Sequence, residues 1–87
     1  MYRASIYTEV KTQNGTIQPD GRTNSIDFRN LSDGTVTVLD NIVLQAGEQF
    51  KWENYPNVII DSSVPFYFDS ENKSNKLLII KIYMKEV

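Results

Sequence analysis

Nowhere in this chain do apolar residues recur at i, i+3, i+4 and i+7 between helix start and stop signals. Without that spacing a helix has no stripe to bury, so no helix beyond a stray turn is expected. What recurs is the short run of period two, closed by turn chemistry. Ile26 and Phe28 alternate with Asp27 and Arg29, giving one face for a core and one for water. Ser32-Asp33-Gly34 interrupts that run, and Thr35-Val36-Thr37-Val38-Leu39 returns with β-branched residues suited to a pleated surface. This pattern predicts a hairpin. Asp40-Asn41 turns before Ile42-Val43-Leu44, and Gln45-Ala46-Gly47 turns before Glu48 to Trp52, where Phe50 and Trp52 share a face.

The two ends follow the same grammar. Arg3 to Thr12 alternates loosely and predicts a strand; residues 13–24, with Asn14-Gly15 and Pro19-Asp20-Gly21, predict a polar loop or short ribbon. Val58 to Ile60 predicts a brief strand after the break at Tyr55-Pro56-Asn57. Pro65 to Asp69 and Lys76 to Met84 flank the polar stretch Ser70 to Asn75 and predict a C-terminal hairpin. A symmetric loop pairs Phe68 with Leu78 and Phe66 with Ile80, and that face gathers Phe28, Val36, Val38, Phe50 and Trp52 into one core. The expected class is all-β, a small antiparallel β-sandwich, jelly-roll or Ig-like, of about six to eight short strands.

An 87-residue chain holds one core, so residues 1–87 read as a single domain. The first 24 residues are a strand and loop that can reach a neighbour as an exchanged arm. Hydrophobic residues at 40% and charged residues at 23% place the chain among folded proteins rather than disordered tails. A net charge of -2 offers no basic footprint for a phosphate backbone, so no nucleic-acid partner is expected. No apolar run approaches the roughly 20 residues that cross a bilayer, and Met1 to Tyr7 lacks a signal peptide's apolar stretch. Neither a membrane partner nor a secretory route is expected, and synthesis in a cytoplasm is.

Chemistry is limited by what is missing. The chain has no cysteine and no histidine, which removes disulfides, thiolate nucleophiles, the common zinc, copper and haem ligands, and the usual base at neutral pH. No Gly-rich phosphate loop, Gly-x-Ser-x-Gly elbow or EF-hand spacing occurs. Asp27, Asp61, Asp69 and Glu71 could supply a glycosidase pair, but isolated carboxylates on strand faces and loops usually serve to keep a surface wet. The expectation is no enzyme, no cofactor, no metal and no small-molecule substrate. Trp52 with Tyr55, or Tyr67 with Tyr83, could stack on a sugar, although such aromatics more often pack in a core or along its rim.

The stretch Ile26 to Phe50, IDFRNLSDGTVTVLDNIVLQAGEQF, resembles small β-sandwich virion proteins of tailed bacteriophages, particularly those of phages infecting Bacteroides-type hosts. Those sequences often run strand, Asn, polar turn, Thr-Val-Thr-Val, short apolar run, then a small residue with Gly-Glu. This chain has Ala46-Gly47 where the pattern commonly has proline before the glycine. The resemblance implies a structural subunit at the capsid, the head-tail connection or the tail, whose partners are itself or larger virion proteins. The alternative is a carbohydrate-binding or adhesion module. For assembly, the expected interface is the second face of the C-terminal hairpin, with Tyr67, Leu77, Ile79 and Tyr83, because solvated sheet faces are normally polar.

Overall fold

The computed structural model describes residues 1–55, 58–69 and 74–86. The strands are β1 (Tyr2–Lys11), β2 (Gly15–Ile17), β3 (Thr23–Asn30), β4 (Val36–Val38), β5 (Ile42–Leu44), β6 (Gln49–Trp52), β7 (Val64–Phe68) and β8 (Leu77–Glu86). Among the described residues there is no helix. The strands form two four-stranded antiparallel sheets, in the orders β1-β8-β3-β6 and β2-β7-β4-β5. β1 pairs with β8, β2 with β7, β3 with β6 and β4 with β5, as in one long two-stranded ribbon with the β4–β5 hairpin at its tip. Rolling that ribbon brings β3 beside β8 and β4 beside β7 and closes a sandwich. This winding is a jelly roll, and it decides between the two sandwich types that the sequence left open.

Only β4 and β5 are consecutive strands within one sheet; the other connections cross between sheets. Two expected hairpins are therefore corrected. Ser32-Asp33-Gly34 carries the chain from β3 across to β4, and β7 and β8 lie in opposite sheets, so Phe68 does not pair with Leu78 nor Phe66 with Ile80. Val36 lies opposite Phe68 and Val38 opposite Phe66, while β8 is held by β1 and β3. Gly15 begins a strand that pairs with β7 rather than folding back on β1. A Cβ there would meet the Phe66 ring at 3.3 Å, so the missing side chain is what lets the ring lie against β2. The Val58 to Ile60 segment is not a strand, but Ile60 is buried and its N–H donates to the Thr23 carbonyl at 2.8 Å.

The core lies between the sheets: Ile26, Phe28, Leu77 and Ile79 from the first, and Ile17, Val36, Val38, Leu44, Val64, Phe66 and Phe68 from the second, with Ile60 from the loop. Phe66 and Phe68 meet edge to face at 6.5 Å. The parity expected for β8 is reversed, since Leu77 and Ile79 are the inward residues and Leu78 and Ile80 the outward ones. Phe50 is only partly buried against the core, and Trp52 is 38% exposed, because β6 is an edge strand and has no neighbour to cover its far side. At the β4–β5 turn Leu39 has φ 59°, a left-handed conformation costing a non-glycine residue roughly 1 kcal/mol. Its side chain packs against the core and its N–H donates to the Pro65 carbonyl at 2.7 Å, which offset that cost.

Two buried asparagines pin the ends of β3. Asn30 Nδ2 donates to the carbonyls of Gly34 at 2.8 Å and Leu44 at 2.9 Å, and its Oδ1 accepts from the Ser32 N–H at 2.9 Å. At the other end Asn24, at a register shift between β3 and β8, donates to the carbonyls of Tyr55 and Val58 and accepts from the Ser25 hydroxyl. Both amides donate to carbonyls of inter-sheet crossings, which helps to satisfy polar groups that the crossings bring to the ends of β3.

Candidate functional site

Because directly opposed residues in antiparallel strands share a face, the register assigns the outer surface of the first sheet. Ala4, Ile6, Thr8 and Val10 of β1 lie opposite Met84, Ile82, Ile80 and Leu78 of β8. On the other side of β8 the same face continues with Ser25, Asp27 and Arg29 of β3, then Lys51 and Gln49 of β6. Across these four pairs the face is apolar apart from the Thr8 hydroxyl, with Tyr2 and Glu86 bounding it at one end, and the half beyond β8 is polar and charged. Among the described residues no other segment forms a layer over it. Ile6 is 66% and Val10 53% exposed. A contiguous apolar strip on a sheet surface, rimmed by charge, marks a contact site more often than a solvated face.

Asp27 lies at the border of the two halves. It is buried, contrary to the wet position expected, because the short carboxylate is sunk between the longer Ile80 and Lys51 that oppose it. Arg29 Nε donates to its Oδ2 at 3.3 Å, while Oδ1 is buried with no hydrogen-bond partner among the described residues. An acceptor in that condition costs stability until a donor reaches it.

The four residues expected to form an interface are not brought together. Leu77 and Ile79 are fully buried and line the core, so they cannot be an exposed contact. The reason is β8's position: with apolar residues on both faces, its inward row was chosen by contact with the second sheet. Tyr67 is on the outer face of the second sheet, opposite Thr37. Tyr83 is on the inward row of β8, beyond the core. There its ring packs on Tyr7 at 4.7 Å between centroids, and the Arg22 guanidinium lies 4.9 Å from the ring centre. These groups border a groove of about 430 Å³ with Ser5, Ile59 and Lys85. Tyr7 was missed because its partner is set by the β1–β8 register rather than by local sequence.

Asp20 anchors this end. Its carboxylate accepts from the N–H groups of Arg22 and Thr23, each at 2.9 Å, from the Thr23 hydroxyl at 2.8 Å, and from the Tyr83 hydroxyl at 2.9 Å. Burial pushes its pKa up, but the hydrogen bonds from Arg22, Thr23 and Tyr83 outweigh that and hold it well below the usual carboxylate range. Burial, together with the bond to Asp20, raises the Tyr83 phenol. A depressed carboxyl contributes stability that is present above its unfolded pKa, about 3.9, and is lost as pH falls through the folded value. Asp20→Asn should therefore flatten the acid limb of stability below about pH 4. Urea melts of both chains from pH 6 to 2 check this; parallel curves would remove Asp20 from the acid response.

Asp69 accepts from the hydroxyls of Thr35 and Thr37, tying β7 to β4. Glu71 lies outside the described residues. Among the described residues no cluster of three or more acidic groups could hold a metal ion. Trp52 and Tyr55 are both exposed.

The chain is thus a jelly-roll sandwich whose distinguishing surface is an apolar half-face over which no described segment forms a layer, beside a long sheet edge. No family model, curated protein or solved structure matches it.

Proposed function

We propose that this protein is a non-enzymatic structural subunit of a bacteriophage virion, at the capsid, the head-tail connection or the tail. It is made in the host cytoplasm and acts by protein–protein assembly. The observation that carries the reading is the apolar half-face of Ile6, Val10, Leu78, Ile80, Ile82 and Met84, exposed on β1 and half-buried on β8, over which no further strand is layered among the described residues. A larger virion protein seated there would bury that strip and could donate a hydrogen bond to the Asp27 carboxylate. The resemblance of residues 26–50 to phage virion sandwiches supports the setting. So does the winding, since jelly rolls recur in viral capsid domains; that support is analogy at the level of fold.

The test is quantitative proteomics of purified virions from a phage that encodes this chain, with the wild-type protein and with Ile82→Lys/Met84→Lys. The wild-type chain is expected at fixed stoichiometry. The variant should fold in isolation, its charges lying on the outer face, yet be missing from particles. Absence of the wild-type chain, or full incorporation of the folded variant, overturns the proposal.

A second reading, a carbohydrate-binding or adhesion module, draws on the groove where Tyr7, Tyr83 and Arg22 stack. A glycan-array signal lost in Tyr7→Ala would favour it over assembly.

A further inference from the structure

The four sheet edges of this sandwich are not alike. β2 and β5 have three residues each and β6 has four, too short to template another strand. β1 has ten, pairs with β8 along its whole length without a bulge, and contains neither proline nor glycine. Its second edge is open. Half of its backbone groups, about five N–H and five C=O, point away from β8, as in any edge strand. Short length, bulges, prolines and charged side chains, inward-pointing ones included, are the usual means of blunting such an edge; β1 has charges only outside the stretch from Ala4 to Thr8, which has none of these devices.

The charges of β1 lie toward its ends: Arg3, then Glu9 and Lys11, all on the inward row. Two copies of β1 related by a twofold axis perpendicular to the sheet must pair antiparallel, with residues of equal parity opposed. The axis then passes through a residue, and three placements are near the centre. Through Tyr7, Arg3 opposes Lys11 twice, a like-charge contact. Through Ser5, Arg3 opposes Tyr7 and Glu9 runs past the end of the partner strand. Through Ile6, Arg3 opposes Glu9 twice, Ser5 opposes Tyr7, Ala4 opposes Thr8, Tyr2 opposes Val10, and Ile6 meets its own copy on the axis. Only this last register is complementary in charge, and it keeps the apolar residues on one face. Arg3 makes no ion pair among the described residues, whereas Glu9 already lies 3.7 Å from both Lys11 and Lys81.

We propose that the open edge of β1 is a homodimer interface, in which the β1 of a second copy pairs antiparallel about a twofold axis through Ile6. The two first sheets become one eight-stranded sheet, and the two apolar half-faces become one continuous floor. This deepens the assembly reading by naming a first partner, but it uses the edge of β1 where that reading uses the face of β8.

The experiment is sedimentation equilibrium on the full chain. The wild-type protein should show a reversible monomer–dimer equilibrium. Ile6→Lys and Ile6→Glu each set like charges on the axis and should raise the dimer Kd about tenfold or more. Both should fold by circular dichroism because Ile6 is largely exposed. An equimolar mixture of the two should associate again, since the axis then joins opposite charges. Arg3→Glu mixed with Glu9→Arg should recover in the same way, which reports the register. A wild-type chain that stays monomeric at about 100 μM overturns the proposal. So do Ile6 variants that dimerise unchanged, or mixtures that fail to recover. Ile82→Lys/Met84→Lys should leave the dimer intact while abolishing incorporation into particles. Loss of dimerisation and loss of docking are therefore read separately.

Discussion

Replacing Phe28 with alanine is expected to cost roughly 3–5 kcal/mol and to leave the domain largely unfolded near physiological temperature. Phe28 is fully buried, opposite Phe50 on one side and Ile79 on the other, in the middle of the sheet layer that faces the second sheet. The cavity cannot collapse readily, because β3 is held between β8 and β6 and pinned at both ends by its asparagines. A domain of 87 residues has a total stability of roughly 4–13 kcal/mol at typical values per residue, so one ring carries a large share. Thermal and urea melts measure the effect, and a shift in Tm of more than about 12 °C is expected. A transition unmoved from wild type would show that Phe28 is not at the centre of the core.

Asn30→Asp should be as severe by a different route. The amide donates to the carbonyls of Gly34 and Leu44 and accepts from Ser32, which ties the β3–β4 crossing to the end of β5. The Asn30 backbone also takes part, its N–H donating to the Glu48 carbonyl and its C=O accepting from the Gly47 N–H, both at 2.9 Å. A carboxylate has the same shape but no donor, so two carbonyls lose their partner and face a negative charge out of reach of water. Each unsatisfied buried group costs about 1–3 kcal/mol, and the buried charge adds to that, for a loss of roughly 3–5 kcal/mol or more at pH 7. In the variant, burial raises the folded pKa of the new carboxyl above its unfolded value. The penalty is then greatest above the folded pKa and relieved as pH falls through it. Equilibrium unfolding at pH 7 and at pH 5 checks both the size and the sign. A variant within about 1 kcal/mol of wild type at pH 7 would show that the Asn30 amide does not hold the crossing together.

These two residues also mark what could be read in advance. Phe28 was legible because β3 alternates cleanly around it, and Val36, Val38, Phe66 and Phe68 were legible for the same reason. Asn30 stood in the sequence as ordinary turn chemistry. Its role depends on carbonyls at Gly34 and Leu44 that meet only when two inter-sheet crossings converge. Asp27 and Trp52 were misplaced for a related reason. Burial of a strand residue depends on the length of its cross-strand neighbours and on whether its strand is central or at an edge, and neither quantity is local.

By itself, then, the amino-acid sequence determined an all-β chain, with no helix among the described residues, the places where it turns, and the inward row of each strand that alternates. It also excluded cysteine and histidine chemistry. Tertiary structure alone decided which strands are neighbours. A turn such as Ser32-Asp33-Gly34 specifies that the chain reverses, but the same residues serve whether it reverses within a sheet or arches to the sheet opposite. The inward row of β8 was undecided for a like reason: Leu77, Leu78, Ile79 and Ile80 are apolar in succession, so period two carries no information there. Contact with the second sheet sent Leu77 and Ile79 inward, and the row left outside became the apolar half-face.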